Sequence, residues 1–166
     1  ASNYFLEHDL NVKLEGLDYN RLRADRVRKN QLAEEVHLAS LLEMPFEDCT
    51  FDVILCNHLL EHIPDDRKAL NELYRILKPS GWGIFQIPQD LKREVTYEDN
   101  SITDKKARAK IFGQYDHVRI YGRDYFDRLK EVGFVVKAVD YTATMTDAEI
   151  EKYRLAKGEL IPFVTK

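Results

Sequence analysis

A chain of 166 residues, 44% hydrophobic and 11% aromatic, suits a single domain over residues 1–166 with a real core, which excludes a disordered chain. Its 25 basic and 29 acidic residues leave a formal net charge of -4, so no global field favours a polyanion and no nucleic-acid partner is indicated. No apolar run approaches the roughly 20 residues of a membrane span, and the N-terminus lacks the layout of a signal peptide, so the chain reads as soluble and cytoplasmic.

In chain order, Val12 to Asp18 alternates apolar and polar residues and reads as a strand ending in the polar Asp18-Tyr19-Asn20. Arg21 to Leu32 is basic and reads as a helix or a mobile loop, Glu35 to Ala39 as a short strand, and Met44 to Asp48 as a turn. Phe51 to Cys56 is the most apolar short run, with the length and branching of a strand buried on both faces. Cys49 and Cys56 flank it, too far apart along an extended segment to bridge, so free thiols are expected.

Asp65 and Asp66 then open a helix, where negative charge is favoured, and Ala69, Leu70, Leu73, Ile76 and Leu77 form its apolar stripe. Lys78-Pro79-Ser80-Gly81 reads as its stop, followed by a strand from Trp82 to Ile87 that Pro88 ends. Gln89 to Thr103 carries no periodicity. Asp104 to Phe112 and Asp124 to Val132 read as helices, the second with Tyr125, Phe126, Leu129 and Val132 inward and Gly133 as its C-cap. Phe134 to Val139 and Leu160 to Thr165 read as strands, and Thr146 as the start of a short helix.

Strands and helices thus alternate, which implies an α/β fold with a mostly parallel sheet and helices on both faces. Such sheets bind ligands beyond the carboxyl ends of their strands, which directs attention to Asp18, Tyr19, Ser40, Asn57, His58 and Gln86. The two oxygens of Asp18 match the paired hydroxyls of a ribose, Tyr19 could stack on a purine, and Ser40 could hydrogen-bond an adenine edge. Each also has a plain reading, as a solvated turn carboxylate or a surface or packing residue.

Gly16-Leu17-Asp18, Met44-Pro45-Phe46-Glu47-Asp48, Phe51-Asp52-Val53-Ile54, Asn57-His58-Leu59-Leu60-Glu61-His62-Ile63 and Glu72 to Gly81 follow one another over residues 12–88 in an order that resembles class I S-adenosylmethionine-dependent methyltransferases. Phe112-Gly113-Gln114 and Asp116-His117-Val118-Arg119 look like a bacterial, type 11-like subgroup. The resemblance implies a Rossmann-like methyltransferase fold and S-adenosyl-L-methionine as cofactor. It puts Asp18, with Tyr19, on the ribose and purine, Ser40 and Leu41 at the adenine, Cys56, Asn57 and His58 along the methionine and methyl, and His62 behind them.

Two departures stand out. The family usually has an acidic residue where this chain has Ala39-Ser40-Leu41. Its first strand and glycine-rich loop should lie before Val12, yet Ala1 to Asn11 holds no glycine, so an N-terminally incomplete domain is expected, with neighbouring strands missing a backbone partner.

His58-Leu59-Leu60-Glu61-His62 also has the spacing of an inverted zinc peptidase, in which a helix carries both histidines to one ion. Here it follows directly on a β-branched strand and Pro64 closes it, so no residue is assigned to a metal and a zinc hydrolase ranks behind two other readings. One is a methyltransferase acting on a small-molecule or glycan acceptor. The other is a non-catalytic module of the same fold that has lost its cofactor. For the enzyme, His58 and His117 are candidates to take an acceptor proton, while Gln86, Arg119 and Tyr121 could hold the substrate. Oligomeric state stays open, a homodimer included.

Overall fold

The computed structural model describes residues 12–166, and the expectations about the glycine loop and first strand fall outside that range. The chain divides into two compact units, Ala1–Pro45 and Phe46–Lys166.

The first unit pairs two parallel strands, β1 (Glu15–Asp18) and β2 (Glu35–Leu38), in a register that sets Asp18 opposite Leu38. Helix α1 (Arg21–Lys29) joins them, which settles the basic segment as helical. Asn20 caps it by accepting from the amides of Leu22 and Arg23, and Arg26, Arg28 and Lys29 stand in its last turn, where cations suit the helix dipole.

The second unit is built on a four-stranded mixed sheet in the order β3 (Phe51–Leu55), β4 (Leu77–Ile84), β8 (Leu160–Thr165), β7 (Val135–Asp140). β3 and β4 run parallel, while β8 is antiparallel to both its neighbours. Among the described residues β3 is paired on one side only, and Val53 and Leu55 are 39% and 40% exposed, short of the burial on both faces expected from the sequence. A strand paired on one side only does not need to be covered on every side chain.

Helix α2 (Asp66–Ile76) is capped by Asp65 and buries Ala69, Leu70, Leu73 and Ile76, the stripe read from the sequence. It ends one residue before β4 begins at Leu77, earlier than the expected stop. Lys78 to Gly81 instead form an irregularity within β4, because Leu77 pairs with Phe51 while Trp82 already pairs with Val53. Helix α4 (Tyr125–Val132) packs in the same core, where Tyr125 and Leu129 join Phe85, Phe134 and Val164.

Between β4 and α4 run two short antiparallel strands, β5 (Tyr97–Glu98) and β6 (Arg119–Ile120), with helix α3 (Lys105–Phe112) between them. Helix α5 (Asp147–Tyr153) starts from a reciprocal cap between Thr146 and Glu149. No helix among the described residues is long and apolar enough to cross a membrane.

Candidate functional site

At the end of β1 in the first unit, the Asp18 carboxylate accepts from the Asn20 amide at 2.8 Å and pairs with the Arg23 guanidinium, Nε to Oδ2 3.0 Å and Nη2 to Oδ1 3.2 Å. Tyr19 is 64% exposed, with Arg23 over its ring at 5.3 Å. Ser40 follows β2 two residues after the partner of Asp18, so the parallel register brings both to one end of the small sheet. Its hydroxyl accepts from the Leu42 amide at 3.1 Å, and Leu41 beside it is buried.

In the second unit, the chain leaving β3 continues to pair with the chain leaving β4. The Cys56 amide donates to the Ile84 carbonyl at 3.0 Å and the His58 amide to the Gln86 carbonyl at 2.8 Å, while Asn57 Oδ1 accepts from the Gln86 amide at 3.3 Å. Asn57, His58 and Gln86 thus share one strand end. The Gln86 side chain donates to Glu159 at 2.7 Å. Burial, with the charge of Glu61 adding to it, pushes the Cys56 thiol up to about 12, so it stays protonated and inert near neutral pH.

His58 takes a left-handed conformation, φ 52°, and the chain then makes one 3-10 turn, Leu60–His62. That geometry removes the α-helix on which a His-x-x-Glu-His peptidase depends. It also turns Glu61 inward, where it is 2% exposed and His58 Nδ1 and His62 Nε2 lie 3.7 and 3.9 Å from Oε1. Its other oxygen, Oε2, has no hydrogen-bond partner among the described residues.

The segment after α3 closes over this turn. The Val118 amide donates to the Glu61 carbonyl at 2.9 Å, and the His117 ring meets the His62 ring edge to face at 4.7 Å. His117 Nδ1 lies 3.2 Å from the Phe112 carbonyl, and His62 Nδ1 lies 3.5 Å from Asp116 Oδ2. His117 also borders a shallow cavity of about 320 Å³ with Gln89, Asp90, Phe112 and Ile120.

Arg119, which also borders that cavity, and Tyr121, both read from the sequence as substrate-holding residues, are tied into an internal network. Arg119 is 2% exposed, and its guanidinium donates to the carbonyls of Leu60, Ile63 and Pro64 and pairs with Glu98. Tyr121 is fully buried and donates to Asp66 at 2.9 Å, and burial, only partly offset by Arg119, pushes its phenol well up. Both therefore hold the 60–64 turn in place. Sequence reasoning missed their partners Asp66, Glu98 and Arg128. Asp66 had been read as a helix-end charge, although a carboxylate pointing inward from a helix start uses the same letters as one pointing outward.

Comparison with known proteins gives the family and the fold. The profile of a family described as a methyltransferase domain matches residues 3–85, half of the chain. Demethylmenaquinone methyltransferase of Lactiplantibacillus plantarum is 37% identical over 70 residues, 39% of this chain and 30% of that protein. The crystal structure of an S-adenosylmethionine dependent methyltransferase from Mesorhizobium loti superposes with TM-score 0.67 at 16% identity, covering 98% of this chain and 85% of that one. Burkholderia thailandensis 1,6-didemethyltoxoflavin-N1-methyltransferase, with bound 1,6-didemethyltoxoflavin and S-adenosylhomocysteine, superposes with TM-score 0.61 at 14% identity, covering 98% and 63%. The chain spans between 30% and 47% of the length of the first curated relatives it matches. With the motifs of residues 12–88, the strand ends they occupy and the family profile in agreement, the chain belongs to the class I S-adenosylmethionine-dependent methyltransferases.

Proposed function

We propose that this chain acts as a methyltransferase domain that uses S-adenosyl-L-methionine to methylate a small-molecule or glycan-type acceptor in the cytoplasm. The observation that carries the reading is the shared strand end of β3 and β4 in the second unit, which brings Asn57, His58 and Gln86 together where α/β sheets take their ligands. The residues fit the cofactor: the Asp18 carboxylate is 24% exposed and held by an exposed arginine, Ser40 and Asn57 are exposed, and Cys56 offers backbone from a buried position. Asp18 and Tyr19 would hold the ribose and purine, Ser40 and Leu41 the adenine, and Cys56, Asn57 and His58 the methionine end, with His62 behind them.

The cofactor supplies an electrophilic methyl group on a positively charged sulfur. The protein's task is to align the acceptor in line with that group, exclude water and accept the displaced proton. His58 is 58% exposed at its side chain with the Glu61 carboxylate behind Nδ1, an arrangement that suits a proton acceptor facing the substrate. Gln86, on the same strand end, would orient the acceptor atom. The name of the Lactiplantibacillus relative and the bound ligand of the Burkholderia neighbour both support a small-molecule acceptor.

Calorimetric titration with S-adenosylhomocysteine tests the cofactor. One site is expected, and Asp18→Asn should weaken it about 10- to 100-fold, the equivalent of one or two charge-assisted hydrogen bonds. Label transferred from methyl-tritiated cofactor into a small-molecule extract or a glycan fraction then identifies the acceptor class. His58→Asn should lower kcat about 100-fold with KM retained.

A non-catalytic module is the second reading, favoured by the Arg23 clamp on Asp18 and by a serine where the family has an acidic residue. Absence of heat and of any thermal shift with S-adenosylhomocysteine would select it.

A further inference from the structure

Glu61 presents a problem that methyl transfer does not solve. A carboxylate at 2% exposure is costly unless paired, and desolvated charges in proteins are met by cations or by several hydrogen bonds. Here Oε2 has no hydrogen-bond partner, and Oε1 has only histidine nitrogens at 3.7 and 3.9 Å, beyond hydrogen-bond distance. The two buried arginines of this unit are spent elsewhere: Arg119 on carbonyls and Glu98, Arg128 on Asp66 and Glu98.

Three side chains converge at this point. Glu61, His62 and His117 each offer a donor atom, and these lie within 4.8 Å of one another. Each histidine has an acceptor near Nδ1, which favours Nε2 as the nitrogen turned to an ion. The Phe112 carbonyl at 3.2 Å takes the Nδ1 proton of His117, and the Asp116 carboxylate at 3.5 Å faces Nδ1 of His62, which leaves both Nε2 lone pairs free. Asp116 is itself steadied by Gln114 Nε2 at 2.8 Å. An acceptor behind each ring nitrogen that does not bind is the arrangement by which proteins aim histidine at an ion.

The geometry points to a divalent transition-metal site formed by Glu61 Oε2, His62 Nε2 and His117 Nε2, with zinc the ion its two imidazoles and one carboxylate suit best. Bond lengths of about 2.0–2.2 Å put tetrahedral ligand atoms roughly 3.4 Å apart, so small side-chain rotations complete the site. Three protein ligands leave one position for water or an oxygen of a bound molecule, and one of them, His117, also borders the cavity. The ion would also tie the segment after α3 to the turn after β3. The inference concerns an ion and not the methyl group, so it stands or falls apart from the proposed reaction.

The set differs from the His-x-x-Glu-His reading, because His58, although 3.7 Å from Glu61 Oε1, is not one of the three converging side chains and His117 comes from far along the chain. It differs also from the cluster Glu15, Glu35 and His37 in the first unit. There Lys13 already bridges both carboxylates, at 2.8 and 3.1 Å, and supplies the positive charge.

The test uses the full chain, stripped with chelator and dialysed against zinc chloride. One equivalent of zinc should be retained, and cobalt(II) in its place should give the visible absorption of a four- or five-coordinate site. His62→Asn and His117→Asn should each weaken zinc binding about 100-fold or more, while His37→Asn leaves it unchanged. No retained zinc, affinity in the His62 or His117 variant unchanged from the parent chain, or loss in the His37 variant would overturn the site. Nitrogen-15 NMR of the unaltered chain removes any dependence on how the variants fold. Zinc should shift Nε2 of His62 and His117 together, and a response confined to His58 and His62, or to His37, overturns the proposal.

Discussion

Asp66 is shared by three groups: Arg128 at 2.9 Å, the Tyr121 hydroxyl at 2.9 Å and Arg119 at 3.7 Å, all inside the second unit. Removing its charge leaves two buried guanidiniums with Glu98 between them and Asp124 beside Arg128 at 3.5 Å, and under-compensated buried charge is what makes broken internal pairs expensive. Asp66→Asn should therefore cost about 3–5 kcal/mol in urea unfolding. Its neighbour Asp65 supplies only an exposed helix cap, a job asparagine does equally well, so Asp65→Asn should stay within about 0.5 kcal/mol. Equal losses in the two variants would mean that Asp66 is a helix-end charge after all. The comparison matters for the site because Arg119, held by the same network, fixes the carbonyls of the turn that carries Glu61 and His62.

At the level of elements, the crossing of the 93–98 segment with the 119–124 segment depends on Gly122. A Cβ there would stand 2.7 Å from the Val95 carbonyl carbon and 2.9 Å from both the Arg93 oxygen and the Thr96 nitrogen. Backbone cannot yield as a side-chain tip can, and the Gly122 amide is also bonded to Thr96, whose hydroxyl and amide both donate to Asp124. Gly122→Ala should cost about 1–3 kcal/mol in thermal or urea unfolding, and a neutral result would mean these segments separate freely.

The crossing was not legible in the sequence. Strands of two residues, β5 and β6, are too short to show a period, and Arg119 and Tyr121 have the letters of surface residues. The long elements were legible because burial repeats along them: the α2 stripe, Tyr125 and Leu129 in α4, and the runs of β7 and β8. Lys78-Pro79-Ser80-Gly81 misled in detail, since residues that stop a helix also suit an irregular strand. Of the candidate site, the strand-end residues could be read from their position after apolar runs. The meeting of Glu61, His62 and His117 could not, because it needs a contact between segments more than 50 residues apart.

For the whole molecule, the two units differ in where their protons are held. Cys56, Tyr121 and Tyr125 all belong to the second unit, and all three are buried groups that burial keeps protonated, Cys56 to about 12. In the unfolded chain a thiol gives up its proton near pH 9 and a phenol near pH 10. Above those values the unfolded state binds fewer protons than the folded one, so the stability of this unit falls as pH rises from about 9 toward 12. Each such group contributes about 1.4 kcal/mol per pH unit once its unfolded form is ionised. Trp82, the single tryptophan, lies in β4 and reports on this unit alone in urea titrations. Cys56→Ala will lower stability at pH 7 by leaving a small cavity, but its decline between pH 9 and 11 should be shallower by about 1.4 kcal/mol per unit. Parallel curves for the parent and the variant would show that Cys56 ionises as freely in the folded chain as in the unfolded one, against the burial that places it beneath the proposed methyl-transfer loop.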